Sequence, residues 1–305
     1  MNKSLRLYLS AAIVLLSWVI ILNSALGWEE DKPVLLKYYY VPFSNLDKVE
    51  GEIEMNGVSG LTMIPVPLSE SVFLIPGLVY KGLYLDYKNA EFSYPTPDGP
   101  FTEADLPNNL HVIDIIFGAN VQWDDDWGTV IILYPGIHSD MDDVSGSDIY
   151  FSGAAMGIYR FSEDFLLSAG IYYDDSFGFP QLLPMVGLQW QISESLTLDG
   201  LLPQYLVFSY QADPILSIGL KYNVAGDQYR LSEYKPWKNT VINYTQMMAG
   251  PFVDLTLVDN LVLRLEGGYA FNREFEFRDD DTSEKLWDGT IKDSGYAAAS
   301  LALQY

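Results

Sequence analysis

The chain alternates between apolar and polar residues. Over 109–123, His111, Ile113, Ile115, Phe117, Ala119, Val121 and Trp123 fall on one side of an extended backbone. Asp114, Gly118, Asn120 and Gln122 fall on the other, with Val112 and Ile116 as exceptions. Over 164–174, Phe165, Leu167, Ala169, Ile171 and Tyr173 oppose Ser168, Gly170 and Asp174. Over 181–192, Leu182, Pro184, Val186, Leu188, Trp190 and Ile192 oppose Gln181, Gly187, Gln189 and Gln191. Further on, Leu216, Ile218, Leu220 and Tyr222 oppose Ser217, Gly219, Lys221 and Asn223. Leu261, Leu263, Leu265, Tyr269 and Phe271 oppose Arg264, Glu266, Gly268 and Asn272. Ala297, Ala299, Leu301, Leu303 and Tyr305 oppose Lys292, Ser294, Ser300 and Gln304. A period of two over segments this long predicts sheets with one apolar and one polar face.

Three features separate a membrane barrel from a soluble sandwich. Most segments reach the ~9–11 residues that a transmembrane strand needs, against about 5–6 for an ordinary soluble strand. Aromatic residues sit at the ends of the apolar faces, as with Trp123, Phe165, Tyr173, Trp190, Tyr222, Phe271 and Tyr305. Amphipathic rings favour the membrane interface, where barrels carry aromatic girdles. Connector length also alternates. Short turns such as Asp124-Asp125-Asp126, Ser162-Glu163-Asp164, Ser193-Glu194-Ser195 and Ala212-Asp213-Pro214 separate long connectors at 138–148, 174–180, 224–240 and 273–291. Strict alternation of the two sides gives about twelve strands from residue 71 onward, and segments 35–42 and 52–65 raise this to about fourteen. Asn56-Gly57 predicts a two-residue hairpin in the middle of the second of these segments. The expectation is an all-β, transmembrane, antiparallel up-and-down barrel over 28–305, closed because an open sheet edge in hydrocarbon strands its backbone polar groups. The alternative is a secreted or periplasmic all-β binding protein, such as a carbohydrate-binding sandwich.

The first 27 residues follow another pattern. Lys3 and Arg6 precede a mostly apolar stretch from Leu7 to Leu22, and Ala25-Leu26-Gly27 supplies small residues at the two positions a signal peptidase reads. This predicts a cleaved secretory signal peptide over 1–27. An uncleaved anchor helix is the competing reading, because the apolar stretch is long. No later segment offers the ~18 consecutive apolar residues of a second membrane helix.

Composition narrows the chemistry. Asp and Glu outnumber Lys and Arg 41 to 17, giving a net charge of -24, yet the mean hydropathy is +0.07. Apolar and acidic residues must therefore be segregated, with the acid concentrated in the connectors. So acidic a chain lacks the clustered cations that nucleic acid requires. With no cysteine, thiol catalysis, disulfides and thiolate metal sites are excluded.

A more particular likeness lies in Gly178-Phe179-Pro180, Leu183-Pro184, Gly187-Leu188-Gln189-Trp190, Pro203-Gln204-Tyr205 and Gly267-Gly268-Tyr269-Ala270-Phe271-Asn272-Arg273. Together these resemble an uncharacterised family of bacterial outer-membrane β-barrel proteins, known as a domain of unknown function. The resemblance implies a barrel in the outer membrane of a Gram-negative-type bacterium, among outer-membrane lipids. It implies no reaction and no catalytic residues. The last residues, with Leu301, Leu303 and terminal Tyr305, resemble the C-terminal signal read by the barrel-assembly machinery, although that signal more often ends in Phe.

Candidate sites follow from the polar faces. If the apolar faces meet lipid, Gln189, Gln191, Lys221, Arg264, Glu266 and Lys292 point into the lumen. They would either tune passage of ions or small solutes, or pair across strands and fill it, with Tyr172 and Tyr296 adding bulk. Only two histidines occur, His111 and His138. His138 borders a connector and reads as a solvated loop residue. Adjacent Ser139 would face the opposite side of a strand, which leaves no Ser–His pair for hydrolysis. His111 opens an apolar face and belongs at the membrane boundary. Asp140, Asp142, Asp143 and Asp148, and Asp279, Asp280, Asp281, Glu284 and Asp288, form acidic connectors without the EF-hand spacing. No cofactor motif is present, so the sequence predicts a passive channel or structural barrel without catalysis.

Overall fold

A computed structural model describes residues 33–48, 50–90, 106–174, 181–232, 239–258, 260–282 and 284–303. The expected signal segment and the terminal Tyr305 lie outside the described residues. The strands in chain order are β1 Val34–Asn45, β2 Glu52–Met63, β3 Val66–Pro67, β4 Val72–Lys88, β5 Asn109–Gln122, β6 Trp127–Ser139, β7 Ile149–Ser162 and β8 Phe165–Asp174. They continue as β9 Gln181–Ser193, β10 Leu196–Leu202, β11 Tyr205–Asp213, β12 Leu216–Arg230, β13 Thr240–Val258, β14 Leu261–Asp279, β15 Lys285–Ile291 and β16 Ser294–Leu303.

Neighbours in sequence pair antiparallel, and β1 pairs with β16 from Val34↔Leu303 to Tyr40↔Ala297. That pairing closes a barrel of 14 strands, with β3 and β15 as short additions along β4 and β14. Closure pairs each wall strand through the apolar band on both sides, apart from stretches of β9 and β12 that flank the short β10–β11 hairpin. It rules out the two-sheet sandwich, whose edges would remain open. Asp side chains build several of the short turns. Asp124 Oδ1 accepts from the amides of Asp126 and Trp127 at 2.9 and 2.8 Å, and Asp213 Oδ1 from that of Ile215 at 2.8 Å. Such side-chain mimicry of a backbone turn is why Asp recurs there.

The alternating pattern sorts as expected for lipid outside. Phe117, Ile131, Leu182 and Leu220 are 57%, 50%, 63% and 60% exposed on the outer face. At the short-turn end, rings form a continuous rim. Trp127 and Tyr159 lie 4.6 Å apart between centroids, Tyr159 and Phe161 4.5 Å, Phe161 and Phe165 5.5 Å, and Phe165 and Trp190 5.8 Å.

Three local expectations are corrected. Asn56-Gly57 makes no turn but lies within β2, opposite Tyr40 and Tyr39 of β1. The ring of Tyr39 occupies the place of a Cβ on Gly57, and Asn56 Oδ1 accepts from the Tyr38 hydroxyl at 2.6 Å. Pairing on both edges and an aromatic ring laid over the glycine override the local turn preference. Asn272 leaves the lumen face, because the β13–β14 register shifts between Thr245 and Met247, and Asn272 adopts φ 48°. The inward set in β14 thereby passes from Arg264, Glu266 and Ala270 to Arg273, Phe275 and Phe277. Finally, much of the connectors 224–240 and 273–291 is strand, since β12 runs to Arg230 and β14 and β15 form a hairpin.

Inside, two apolar clusters fill much of the lumen. One lies toward the short-turn end and includes Ile116, Ile132, Met156, Leu201, Val207 and Phe252. The other lies toward the long-loop end and includes Met55, Leu85, Leu110, Ile242, Phe275 and Phe277. Val112 and Ile116, exceptions to the polar face of β5, belong to these clusters.

Candidate functional site: charges and a cavity within the lumen

Lys221, Arg264 and Glu266 are brought together on the inner faces of β12 and β14. Lys221 Nζ donates to both carboxylate oxygens of Glu266 at 3.1 and 3.0 Å, and Lys37 Nζ of β1 approaches the same carboxylate at 3.0 Å. The Lys221 and Glu266 side chains are 0% and 1% exposed. Two residues along the strand, Arg264 Nε and Nη2 grip Asp254 at 2.7 and 2.6 Å. The guanidinium lies 3.8 Å over the ring of Phe252. A planar guanidinium suits this site, because it can hold a carboxylate bidentately while its face stacks on a ring. These charges are held against one another instead of facing a column of water.

The other three polar-face candidates lie elsewhere. Gln189 is half-buried on β9, paired in register with Asp199 of β10. Gln191 is exposed near the short-turn rim, where Nε2 donates to the Ser193 carbonyl at 2.5 Å. Lys292 is exposed in the break between β15 and β16, and its amide donates to the Asn45 carbonyl at 2.9 Å. Tyr172 and Tyr296 face inward, Tyr296 buried and Tyr172 packed on the lower apolar cluster.

A cavity of about 490 Å³ opens within the lumen, lined in part by residues of both apolar clusters. Its apolar lining includes Leu35, Val79, Met185 and Met248. Its polar side includes Asp114, His138 and the pair Lys81–Asp227, whose nitrogen and oxygen are 2.7 Å apart. His138 is therefore no solvated loop residue. β6 extends through Ser139, so His138 shares the inward face with Tyr134. His138 Nε2 lies 2.9 Å from Asp114 Oδ1. A Cβ on Gly136, the residue opposite Asp114, would overlap that carboxylate, so the glycine leaves room for it. The even spacing of Tyr134, Gly136 and His138 carried this signal in the sequence. What hid it was the absence of any mark for where β6 stops. His111 faces outward and is hydrogen-bonded through Nδ1 to Tyr80 at 3.0 Å.

Five buried polar atoms of the cavity lining have no hydrogen-bond partner among the described residues: Tyr134 Oη, His138 Nδ1, Gln204 Oε1, Asn223 Oδ1 and Tyr244 Oη. Buried polar groups are normally satisfied, and orphans converging on one cavity mark where a water or ligand atom belongs. No cluster of three or more His, Asp or Glu side chains suited to a metal occurs among the described residues.

Acidic residues at the long-loop end serve a different purpose. Arg230, at the end of β12, ion-pairs with Asp280, approaches Asp148 Oδ1 at 3.9 Å and donates to Asn239 Oδ1 at 3.2 Å. Its carbonyl accepts from the Asp140 amide at 3.3 Å, and Ser232 Oγ donates to Asp140 Oδ1 at 2.5 Å. β12 thus reaches across the mouth and meets β6, with Arg230 and Ser139 as parallel partners.

The family described as "Domain of unknown function (DUF6268)" matches residues 99–302. The chain belongs to that family. No curated protein matches it. Among solved structures, the chain is similar to an outer membrane channel from Pseudomonas putida F1, at 10% identity and a TM-score of 0.42 over 89% of this chain and 95% of that one. It is similar also to the translocator domain of the autotransporter NalP from Neisseria meningitidis, at 10% identity and a TM-score of 0.40 over 98% of each chain. A third is the Pseudomonas putida toluene transporter TodX, at 11% identity and a TM-score of 0.36 over 94% and 93%. The matched residues include the charge pairs of β12 to β14 and the cavity lining from Asp114 onward, and the family description assigns no activity to either.

Proposed function

We propose that this protein is a passive, non-catalytic barrel of the outer membrane, exported by its N-terminal segment, that takes up small, largely apolar solutes. The observation that carries this reading is the lumen's filling. Apolar side chains pack on the short-turn side of the cavity, Lys221 of β12 is paired with Glu266 of β14, and Arg264 of β14 with Asp254 of β13. A general porin requires a continuous polar, water-filled interior. A lumen with an apolar pocket and a few convergent polar atoms matches a binding site for small molecules.

The test is a fluorescence titration of the refolded protein in detergent with 1-aminoanthracene, an apolar tricycle carrying one amine. The expected result is saturable binding at one site, abolished by Met185→Trp, which fills the cavity. Fluorescence that rises without saturation and is unchanged by Met185→Trp would overturn the reading.

A further inference from the structure

The barrel wall is uneven. β12, β13 and β14 run 15, 19 and 19 residues, whereas β8, β10 and β11 run 10, 7 and 9. The β10–β11 hairpin turns back at Pro203-Gln204, and its last contact with β12 is the Val224 amide donating to the Gln204 carbonyl at 2.8 Å. Beyond that point β12 continues to Arg230. Through 225–229 it pairs with β13 on one edge and, among the described residues, with no strand on the other. Its end then closes on the opposite wall, where Arg230 meets Ser139 and Gln228 Nε2 donates to the Tyr150 hydroxyl at 3.0 Å. The described residues thus frame a window. The hairpin tip lies below it, the free edge of β12 beside it, and the β6–β12 contact above it.

This window stands within the apolar band. Leu202, at the hairpin end, pairs with Val186, which pairs with Ala169. Ala169 is the midpoint of the outward row of β8 from Phe165 to Tyr173. Leu202 and Val186 are 45% and 52% exposed on the outer face. Backbone without strand partners is retained at such a depth only where it is covered by protein or lines a cavity.

The cavity reaches the window. Pro203 and Gln204 of the hairpin tip and residues 223–227 along the unpaired edge of β12 line the same cavity as Asp114 and Lys81. Two of the five orphaned polar atoms, on Gln204 and Asn223, lie at the window.

We infer that the cavity is loaded sideways, from the membrane, through the window between the β10–β11 tip and β12. The molecule it takes is small and apolar with a single hydrogen-bond donor such as an amine or hydroxyl. Such a molecule partitions into the bilayer, and its donor matches the carbonyl oxygens of Gln204 and Asn223. This inference rests on the cavity's accepting a solute, as proposed above.

The chain has no cysteine, so engineered thiols act alone. The protein is refolded into phosphatidylcholine vesicles, and 1-aminoanthracene is delivered already dissolved in the bilayer. In one variant, Gln204→Cys is labelled after folding with a bulky maleimide, and the unlabelled form is its control. A second, Val224→Trp, obstructs the window without labelling. In a third, Asp140→Cys with Ser232→Cys is oxidised to pin the mouth shut, with the reduced form as control. The expected result is that both window variants slow loading by about tenfold or more, an added barrier of about 1.4 kcal/mol, and that the oxidised mouth leaves it unchanged. Loading slowed by the oxidised mouth and unaffected by the window variants would overturn the lateral route while leaving the binding cavity in place. No saturable binding in any form would overturn both.

Discussion

The high wall of β12–β14 and the low wall of β8–β11 have the same outer face and different inner ones. Outside, Ile218, Leu220 and Leu265 on the high wall and Ile171, Val186 and Trp190 on the low wall are exposed apolar residues in one alternating scheme. Inside, the high wall carries Lys221, Asp254, Arg264 and Glu266 locked in pairs. The low wall carries Gln189, Leu201, Tyr205 and Val207, with no Lys or Arg on the inward positions of β8–β11. The lesson is that the bilayer dictates one face of every strand alike, and the lumen face is free to specialise. Paired charges accompany the tall strands, which cross the mouth. No inward cation accompanies the short ones, whose inward charges are the acids Asp174 and Asp199, where the wall stops early.

Substitutions break this comparison in graded ways. The largest effect is expected for Glu266→Ala, which removes the buried carboxylate that Lys221 and Lys37 share. Removing one partner of a buried pair costs ~3–5 kcal/mol, which urea unfolding in lipid measures. Gln191→Ala, on the exposed rim of the low wall, is expected to stay within about 0.5 kcal/mol. Next comes the outer face. Ile218→Arg places a cation against hydrocarbon and is expected to cost ~2–4 kcal/mol if the site is near the midplane. Unimpaired folding would reverse the face assignment. Arg230→Ala keeps the backbone contact with β6, removes the side-chain pairs at the mouth and takes the Arg230 cation from Asp148, which is 2% exposed. A cost of about 1–3 kcal/mol follows from stranding a buried polar group, read by the same unfolding experiment.

The smallest effect belongs to Lys48 and Asp288, exposed partners 2.5 Å apart beyond the membrane band. Lys48→Ala is expected to change stability by less than about 1 kcal/mol. The hydrogen bond from Lys48 holds the Asp288 carboxyl below its ordinary value. Its contribution is therefore present above the unfolded carboxylate pKa of about 3.9 and lost as pH falls through the lower, folded value. The stability difference between wild type and Lys48→Ala should shrink accordingly in acid titration.

Most of the barrel was legible in the sequence, because the membrane imposes a rule that each strand obeys by itself. Ile113, Ile115 and Phe117, or Leu182, Val186 and Trp190, announce their face without reference to any neighbour. The features that escaped depend on pairs of strands. Gly57 looks like a turn until Tyr39 is laid over it. Asn272 looks inward until the β13–β14 register shift is known. His138 looks solvated until β6 is seen to continue and Asp114 to meet it. Arg264 and Glu266 could be placed on one face from spacing alone, but their partners Asp254, Lys37 and Lys221 come from other strands. The cavity was illegible for the same reason, since it is bounded by many strands at once.

The central claim is that the lumen is a closed, side-loaded pocket and not an aqueous pore. Planar-bilayer recording of the refolded protein in potassium chloride tests it most directly. The account predicts a flat baseline without long-lived conductance steps. Persistent, ohmic steps of the kind an open porin gives would contradict it.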